Sequence, residues 1–395
     1  MAVFELRKAL SAEERAEKRR LVLRDSVALF AIFAITVTLA ILTYFLFASF
    51  SRHRDVLARR WKANGERAMR NGHPDQAVQA LRSALEYAPD SRDTEIDLAM
   101  ALAASGRDLE ATSYFNTLLE SQPGNGLIHL QLARIAAKQG NATLAEEHYQ
   151  RALDGTWQGD GYVRRREVRL ELANYLISRK DYSRAQTELR TAAGNAPKDP
   201  NLQIRIAEIM ERAQDPTDAL AIYRAQIRLH NAPVEAFQGA GRTAYALGRI
   251  TTAREALSVA TEYRGFNAQT KAERDSVRQM LASATRILQL YPDPDLSVRT
   301  RAARIQNNAK IARARLVSCA ANPSLAAKLT ALQTQWQQVP ARLTLRALER
   351  NPQLEQTTMN LVYNTEKQTA EICGVPSGDD ALLLKIAQNP LAVRQ

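Results

Sequence analysis

Twenty-five consecutive residues near the start of the chain, Ser26 to Phe50, carry no charge, no proline and no glycine. An apolar run of that length predicts a helix long enough to cross a bilayer. Tyr44, Phe45, Phe47 and Phe50 crowd its far end, as aromatic side chains do at a membrane–water interface. The run is too long for the apolar core of a cleavable leader, and Ala48-Ser49-Phe50 is a poor small-x-small cleavage site. The segment is therefore expected to stay as an anchor. Beyond it the pattern becomes periodic. Gly72, Gly106 and Gly140 are 34 residues apart, and so are Ala77, Ala111 and Ala145, and Leu81, Phe115 and Tyr149. A second set keeps the same step: Ala185, Ala219 and Ala253, with Leu189, Tyr223 and Leu257. From Ala145 to Ala185 the step is 40, so six extra residues separate the two sets, and the turn-rich stretch from Trp157 to Tyr162 is where they fit. A fixed period of this length predicts stacked helical hairpins, because one such unit cannot bury its own apolar face.

These residues resemble the tetratricopeptide repeat (TPR). The first unit matches the family pattern with Trp61, Gly65, Ala68, Gly72, Ala77, Leu81, Ala84 and Pro89. The second supplies Leu98, Ala99, Leu102, Gly106, Ala111, Phe115 and Pro123, and the third Leu132, Ala133, Gly140, Ala145, Tyr149 and Ala152. The fourth supplies Leu172, Ala173, Leu176, Ala185, Leu189, Ala192 and Pro197. The fifth has Ile206, Ala207, Met210, Ala219 and Tyr223, and the sixth Phe237, Gly241, Gly248, Ala253, Leu257 and Ala260. Lys180 and Gln214 stand where the pattern has its turn glycine, and Gln226 and Asn231 depart from it late in the fifth unit.

The resemblance implies an all-α fold: a TPR α-solenoid of about six repeats, preceded by one transmembrane helix and followed by a small helical C-terminal region. It also implies a concave groove lined by the first helix of each unit. Family positions carried over to this chain place Lys62, Ile96, Met100, Leu127, Leu130, Arg134, Lys138, Leu170, Asn174, Ile177, Ile204 and Arg242 along that groove. Arg59, Arg70 and Glu208 belong to the same set. The expected partner is an amphipathic protein segment. Repeats that grip an acidic chaperone C-terminus use a lysine, asparagine and arginine clamp. Lys62 matches the lysine, but Glu66 holds the asparagine position and would repel a carboxylate.

After the repeats, residues 268–291 read as an amphipathic helix, and Tyr291-Pro-Asp-Pro294 breaks the chain. Five further helices are expected. Asn322-Pro323 and Asn351-Pro352 read as an N-cap followed by a first-turn proline, and Ser377 to Asp380 as another helix start. This part would cap the solenoid or form a small bundle on it. The domain reading is a basic amphipathic head (1–25), a transmembrane helix (26–50), the solenoid (51–267, with an insertion near 157–162), a capping helix and boundary (268–294) and a helical C-terminal domain (295–395).

Charge adds one feature. The chain carries +12, and from Leu296 to Leu348 it has no acidic residue. Arg299, Arg301, Arg304, Lys310, Arg313 and Arg315 form a candidate basic surface for anionic lipid, a polyanion or an acidic protein; the plain alternative is a solvated helix face. Nucleic acid is disfavoured, because no aromatic residue is interleaved among residues 299–315 to stack on bases. The two cysteines, Cys319 and Cys373, each end an expected helix and would close a loop of about 55 residues, or else stay as buried thiols.

No phosphate loop, HExxH, GxSxG or GxGxxG occurs, and the five histidines (His53, His73, His129, His148 and His230) are scattered and read as structural or surface residues. No cofactor, metal or catalytic residue is expected. Cations balance across the apolar run, Arg15, Lys18, Arg19, Arg20 and Arg24 against Arg52, Arg54, Arg59, Arg60 and Lys62, so charge does not orient it. A first apolar helix followed by a long domain commonly exports that domain, and a lone cysteine pair suits an oxidising compartment. The reading is a single-pass bacterial inner-membrane scaffold whose periplasmic body mediates protein–protein interactions in envelope assembly or secretion, in a chaperone-like role. The alternative is a cytoplasm-facing docking platform for soluble proteins. A third reading, a repeat-bearing enzyme, needs a catalytic C-terminal domain.

Overall fold

The computed structural model describes residues 12–196, 199–229 and 231–394. Residues 1–11 of the basic head, Pro197 and His230 lie outside them. The described chain is all-α, and it divides after Gln158 into two compact units.

The first unit begins with one long helix, α1 (Ala12–Arg70), which carries the apolar run and then, without a break, the first helix of the first hairpin. Between Val27 and Phe50 its large apolar side chains are exposed. Thr36, Thr38 and Thr43 donate their hydroxyls to the carbonyls of Ile32, Ala34 and Leu39 one turn back, at 2.7–2.8 Å, so the few polar groups of the run are satisfied within their own helix. Three hairpins follow from α1 onward: α1 with α2 (Pro74–Tyr87), α3 (Arg92–Ala104) with α4 (Asp108–Ser121), and α5 (Gly126–Lys138) with α6 (Ala142–Asp154).

The second unit holds three more hairpins: α7 (Gly161–Ser178) with α8 (Tyr182–Gly194), α9 (Pro200–Arg212) with α10 (Pro216–Ile227), and α11 (Val234–Ala246) with α12 (Ile250–Glu262). A 3-10 turn (Phe266–Ala268) leads to α13 (Lys271–Leu290), which opens on a capping box between Thr270 and Glu273. Five helices complete the chain: α14 (Val298–Ala320), α15 (Pro323–Gln337), α16 (Leu345–Arg350), α17 (Pro352–Cys373) and α18 (Gly378–Gln388). Asn322 and Asn351 cap α15 and α17 by accepting backbone N–H groups, with proline in the first turn.

One turn closes all six hairpins. The backbone N–H of His73, Arg107, Asn141, Asp181, Asp215 and Arg249 each donates to a carbonyl five residues earlier, at 2.9–3.0 Å. The residue before each donor is left-handed: Gly72, Gly106, Gly140 and Gly248 at φ 76–81°, but also Lys180 at 64° and Gln214 at 58°. The fourth and fifth hairpins thus keep the turn where their sequence departs from the pattern. A side chain in that backbone region costs about 1–2 kcal/mol, which the packing on either side must absorb.

Packing explains the period. Leu81, Phe115, Tyr149, Leu189, Tyr223 and Leu257 are all buried. A Cβ on Gly65 would stand 2.6 Å from Leu81 Cγ, and one on Gly241 2.5 Å from Leu257 Cγ, so these positions stay small to let paired helices touch. The insertion after α6 is folded rather than open. Thr156 donates its N–H to Gly124 O at 2.7 Å and accepts from Gly126 N at 2.9 Å. Trp157 then lies over Gly126, where a Cβ would come within 2.4 Å of the indole, and its Nε1–H donates to Ala152 O at 2.9 Å.

The C-terminal helices share a core with the last hairpin. Ile250 of α12 and Ala284, Ile287 and Leu290 of α13 join Ile305, Leu329, Trp336, Val362, Leu383 and Val393 in one buried cluster. The end of the chain returns to α12, where Thr251 N–H and its hydroxyl both donate to Val393 O, at 3.2 and 3.1 Å.

Candidate protein-binding surface

The groove positions carried over from the repeat pattern lie on the first helix of each hairpin. In the first unit Lys62 of α1 meets Asp97 of α3 at 3.3 Å, and Lys138 of α5 meets Asp108 of α4 at 2.9 Å. Burial raises the Asp97 pKa, and the Lys62 ammonium works against that shift. Lys62 thus already faces a carboxylate of its own chain. Ile96 and Leu130 are buried, Met100 and Leu127 half-buried, and Arg134 exposed.

In the second unit Leu170 is fully buried and Ile204 nearly so. Asn174 donates its side-chain amide to Leu170 O at 2.8 Å, and Ile177 is half-buried. Arg242 of α11 grips Glu211 of α9 through Nη2 at 2.8 Å and Nε at 3.1 Å, and the Thr243 hydroxyl donates to the same carboxylate. Burial works against the Arg242 charge, but Glu211 outweighs it and holds the pKa above the ordinary value. Ile96, Leu130, Leu170 and Ile204 therefore pack the hairpins and leave little apolar surface for a ligand.

Next to Arg242, residues of α9, α11, α12 and α13 line a cleft of about 680 Å³. Glu208, Glu235 and Glu273 stand around it, and Leu257, Val277 and Met280 form its apolar side. Gln238 and Gln269, both lining the cleft, exchange amide hydrogen bonds at 2.7 and 3.1 Å. The Thr270 hydroxyl and backbone N–H hold Glu273 below the usual carboxylate range. Of the three carboxylates the groove positions flagged only Glu208, while Leu257 is the large residue of the sixth unit. Val277 and Met280 come from α13, which lies beyond the repeats.

The basic run of α14 is largely turned to internal use. Arg301 pairs with Glu355 at 2.9 Å and donates to Pro294 O. Arg304 donates to Leu288 O and Tyr291 O at 2.6 and 2.7 Å, closing the end of α13. Arg313 donates to Val339, Pro340 and Ala341 carbonyls and lies over the Trp336 ring at 4.7 Å, and burial lowers its pKa. Arg315 donates to Gly374 O at 2.8 Å. Only Arg299 and Lys310 of the six candidates remain exposed without such a role in these contacts. Four arginines of the acid-free stretch are thus engaged within the chain, while Lys328, Arg342 and Arg346 of the same stretch are exposed.

Cys319 at the end of α14 and Cys373 at the end of α17 form a disulfide, with Cα atoms 5.9 Å apart. Nearby, Glu366 of α17 is fully buried and neither of its carboxylate oxygens has a hydrogen-bond partner. Burial, reinforced by Asp380, pushes its pKa up to about 8 against the pull of Arg315. His129 and His148, on the two helices of the third hairpin, stack with Nδ1 atoms 3.1 Å apart. His129 Nε2 lies 2.9 Å from Pro123 O, which accepts from it, so His129 Nδ1 accepts from His148 in the neutral pair. Burial first, then His129, lowers the His148 pKa. The pair ties α5 to α6.

Comparison with known proteins bears on the hairpins. The sequence model of the tetratricopeptide repeat matches residues 62–125, 96–160 and 170–233. No curated protein matches the chain by sequence. Among solved structures, Pseudomonas aeruginosa pilF is 18% identical over 57% of this chain and 99% of its own, with a TM-score of 0.39. PilW, described as a widely conserved type IV pilus biogenesis factor, is 16% identical over 56% of this chain and 98% of its own, with a TM-score of 0.40. The TPR2AB domain of yeast Sti1, in a pHSP90 complex, is 17% identical over 58% of this chain and 99% of its own, with a TM-score of 0.25. Repeats of this kind are protein-binding modules, and over residues 62–160 and 170–233 this chain carries tetratricopeptide repeats folded as paired helices.

Proposed function

We propose that this chain is a membrane-anchored, non-enzymatic scaffold that holds other proteins on its repeats, on the extracytoplasmic side of a bacterial inner membrane, in envelope assembly or secretion. One observation carries the anchor: the apolar run of α1 has no part of its window buried, so no described residue of the chain covers it. An exposed apolar surface of that extent requires an apolar environment. At 1.5 Å per residue the run from Ser26 to Phe50 is about 37 Å long, enough for a hydrocarbon core of about 30 Å with some tilt. The Cys319–Cys373 pairing favours an oxidising compartment for the body. The domains follow from this: anchor 26–50, repeats 51–267, α13 as the capping segment through residue 294, and the disulfide-tied helices to the end.

Protease digestion of intact spheroplasts carrying a C-terminal tag tests the reading. Loss of the tag with retention of the chain in the membrane fraction is the expected result. A protected tag places the body in the cytoplasm and makes a docking platform for soluble proteins the reading to keep. Release of the chain by high salt or carbonate removes the anchor altogether.

A further inference from the structure

The proposal here rests on the scaffold reading and names the partner. We propose that the cleft lined by α9, α11, α12 and α13 takes an extended cationic segment of a partner protein, one that sets an aliphatic side chain beside its lysine or arginine residues.

Charge is the first argument. The chain carries +12 overall, yet this cleft is acidic. Its cation, Arg242, is held by Glu211 at 2.8 Å, with Glu208 also within its electrostatic reach. Glu208, Glu235 and Glu273 remain, three carboxylates on three different helices facing one space. Like charges gathered at one opening repel one another, and a cationic ligand removes that repulsion as well as adding attraction. Glu208 and Glu235 are exposed and make none of the ion pairs found elsewhere on the first helices, such as Arg205 with Glu167 or Lys138 with Asp108. Glu273 is fixed in place by the capping box at the start of α13.

Shape is the second argument. A cleft of about 680 Å³ lies within the range of small-ligand and side-chain pockets. Leu257, Val277 and Met280 form its apolar side, and Val277 and Met280 are only half-buried. The paired amides of Gln238 and Gln269 hold α11 against the start of α13, so the cleft is preformed. An aliphatic side chain against Met280 with cations at the acidic rim satisfies both halves of the site. An acidic segment would bring like charges together, and a purely apolar one would leave three carboxylates facing it.

The test uses the full-length protein in detergent micelles and fluorescence anisotropy of a labelled 12-residue peptide of alternating lysine and leucine. The glutamate–leucine peptide serves as the charge-reversed probe. The lysine peptide is expected to bind, with affinity falling as salt rises. Exposed ion pairs of this kind are worth roughly threefold each, so Glu208→Gln with Glu235→Gln weakens binding roughly tenfold. Met280→Ser weakens it with unchanged salt dependence. A control pair at exposed positions elsewhere, Glu86→Gln with Glu371→Gln, leaves it unchanged.

Equal binding of the two peptides, or undiminished binding by the Glu208/Glu235 variant, overturns the proposal. Preference for the glutamate peptide also overturns it, while leaving the scaffold reading in place, because the spheroplast experiment decides that reading without reference to this cleft. Self-association that the same variant abolishes would make a second copy the occupant and overturn the proposal too.

Discussion

Glu366→Gln keeps the size of a buried side chain and removes its ability to ionise. In the folded protein Glu366 has no exposed surface and no hydrogen-bond partner for either oxygen, and its pKa stands at about 8 instead of 4.5. At pH 7 the folded chain therefore holds a proton there that the unfolded chain has released. A difference of one pKa unit corresponds to 1.36 kcal/mol, so the separation between pH 7 and 4.5 amounts to about 3 kcal/mol of lost stability. For an acid with a raised pKa, stability is complete below the unfolded value and declines as pH rises toward the folded one. The glutamine variant escapes that decline. It should exceed the parent by about 3 kcal/mol at pH 7, and the two should converge as pH approaches 4.5. Urea unfolding of both proteins, followed by circular dichroism at half-unit steps from pH 4.5 to 8 with the disulfide intact, measures the difference directly. A difference that stays flat across this range, or a variant less stable than its parent at pH 7, would refute the reasoning.

Three other perturbations have definite expected outcomes. Gln214→Gly and Lys180→Gly relieve a side chain from the left-handed turn and should each raise stability by about 1 kcal/mol, read as a higher Tm; a fall in Tm would mean that these side chains hold the turn by contacts of their own. Gly126→Ala drives a methyl into the Trp157 indole and should destabilise the first unit by about 1–3 kcal/mol, with a red shift in tryptophan emission as the ring is expelled. Cys319→Ala removes a cross-link between residues 54 apart and should lower stability by about 4 kcal/mol in the chain-entropy account, with reduction of the parent by dithiothreitol giving the same loss. Equal stability of reduced and oxidised parent protein would show that packing alone holds α14 to α17.

The hairpins were legible because the period is written in residue size. Gly65 and Leu81 must touch, and so must Gly241 and Leu257, so the alternation of small and large survives in every unit. Lys180 and Gln214 show that the letters of the turn are less strict than its backbone, which neighbouring bonds such as Asp215 N–H to Met210 O enforce. The helix starts at Pro323 and Pro352 were equally plain, since an asparagine cap and a first-turn proline act locally. What depends on depth was not legible. A family position assigns Leu170 to the face of α7 that a groove would use, but it does not say that the side chain is fully covered. Nor does composition reveal that Arg304 and Arg313 reach backbone carbonyls, because a carbonyl acceptor leaves no mark in the sequence. Trp157 carried a signal that was available: tryptophan is a large apolar side chain whose N–H usually finds a partner when buried, as it does here at Ala152 O. The cleft had none, since Glu208, Glu235 and Glu273 lie far apart in the chain and meet only because α13 extends beyond the last repeat.

The absence of any break in α1 between its apolar run and the first hairpin sets a phase relation. Arg54 donates to Tyr87 O at 2.7 Å, so the hairpin is already clasped four residues after Phe50, leaving no swivel between the two. With α1 anchored in a bilayer as proposed, the azimuth of the first repeat about the membrane normal would be set by the rotation of the helix in lipid. One residue inserted after Phe50 would turn the repeat by about 100° and lift it about 1.5 Å, whereas an insertion of seven would nearly restore its heading. Spacing between the apolar run and the first repeat is therefore an angular coordinate, and under the proposed anchoring a length change there would redirect the first repeat along the membrane plane.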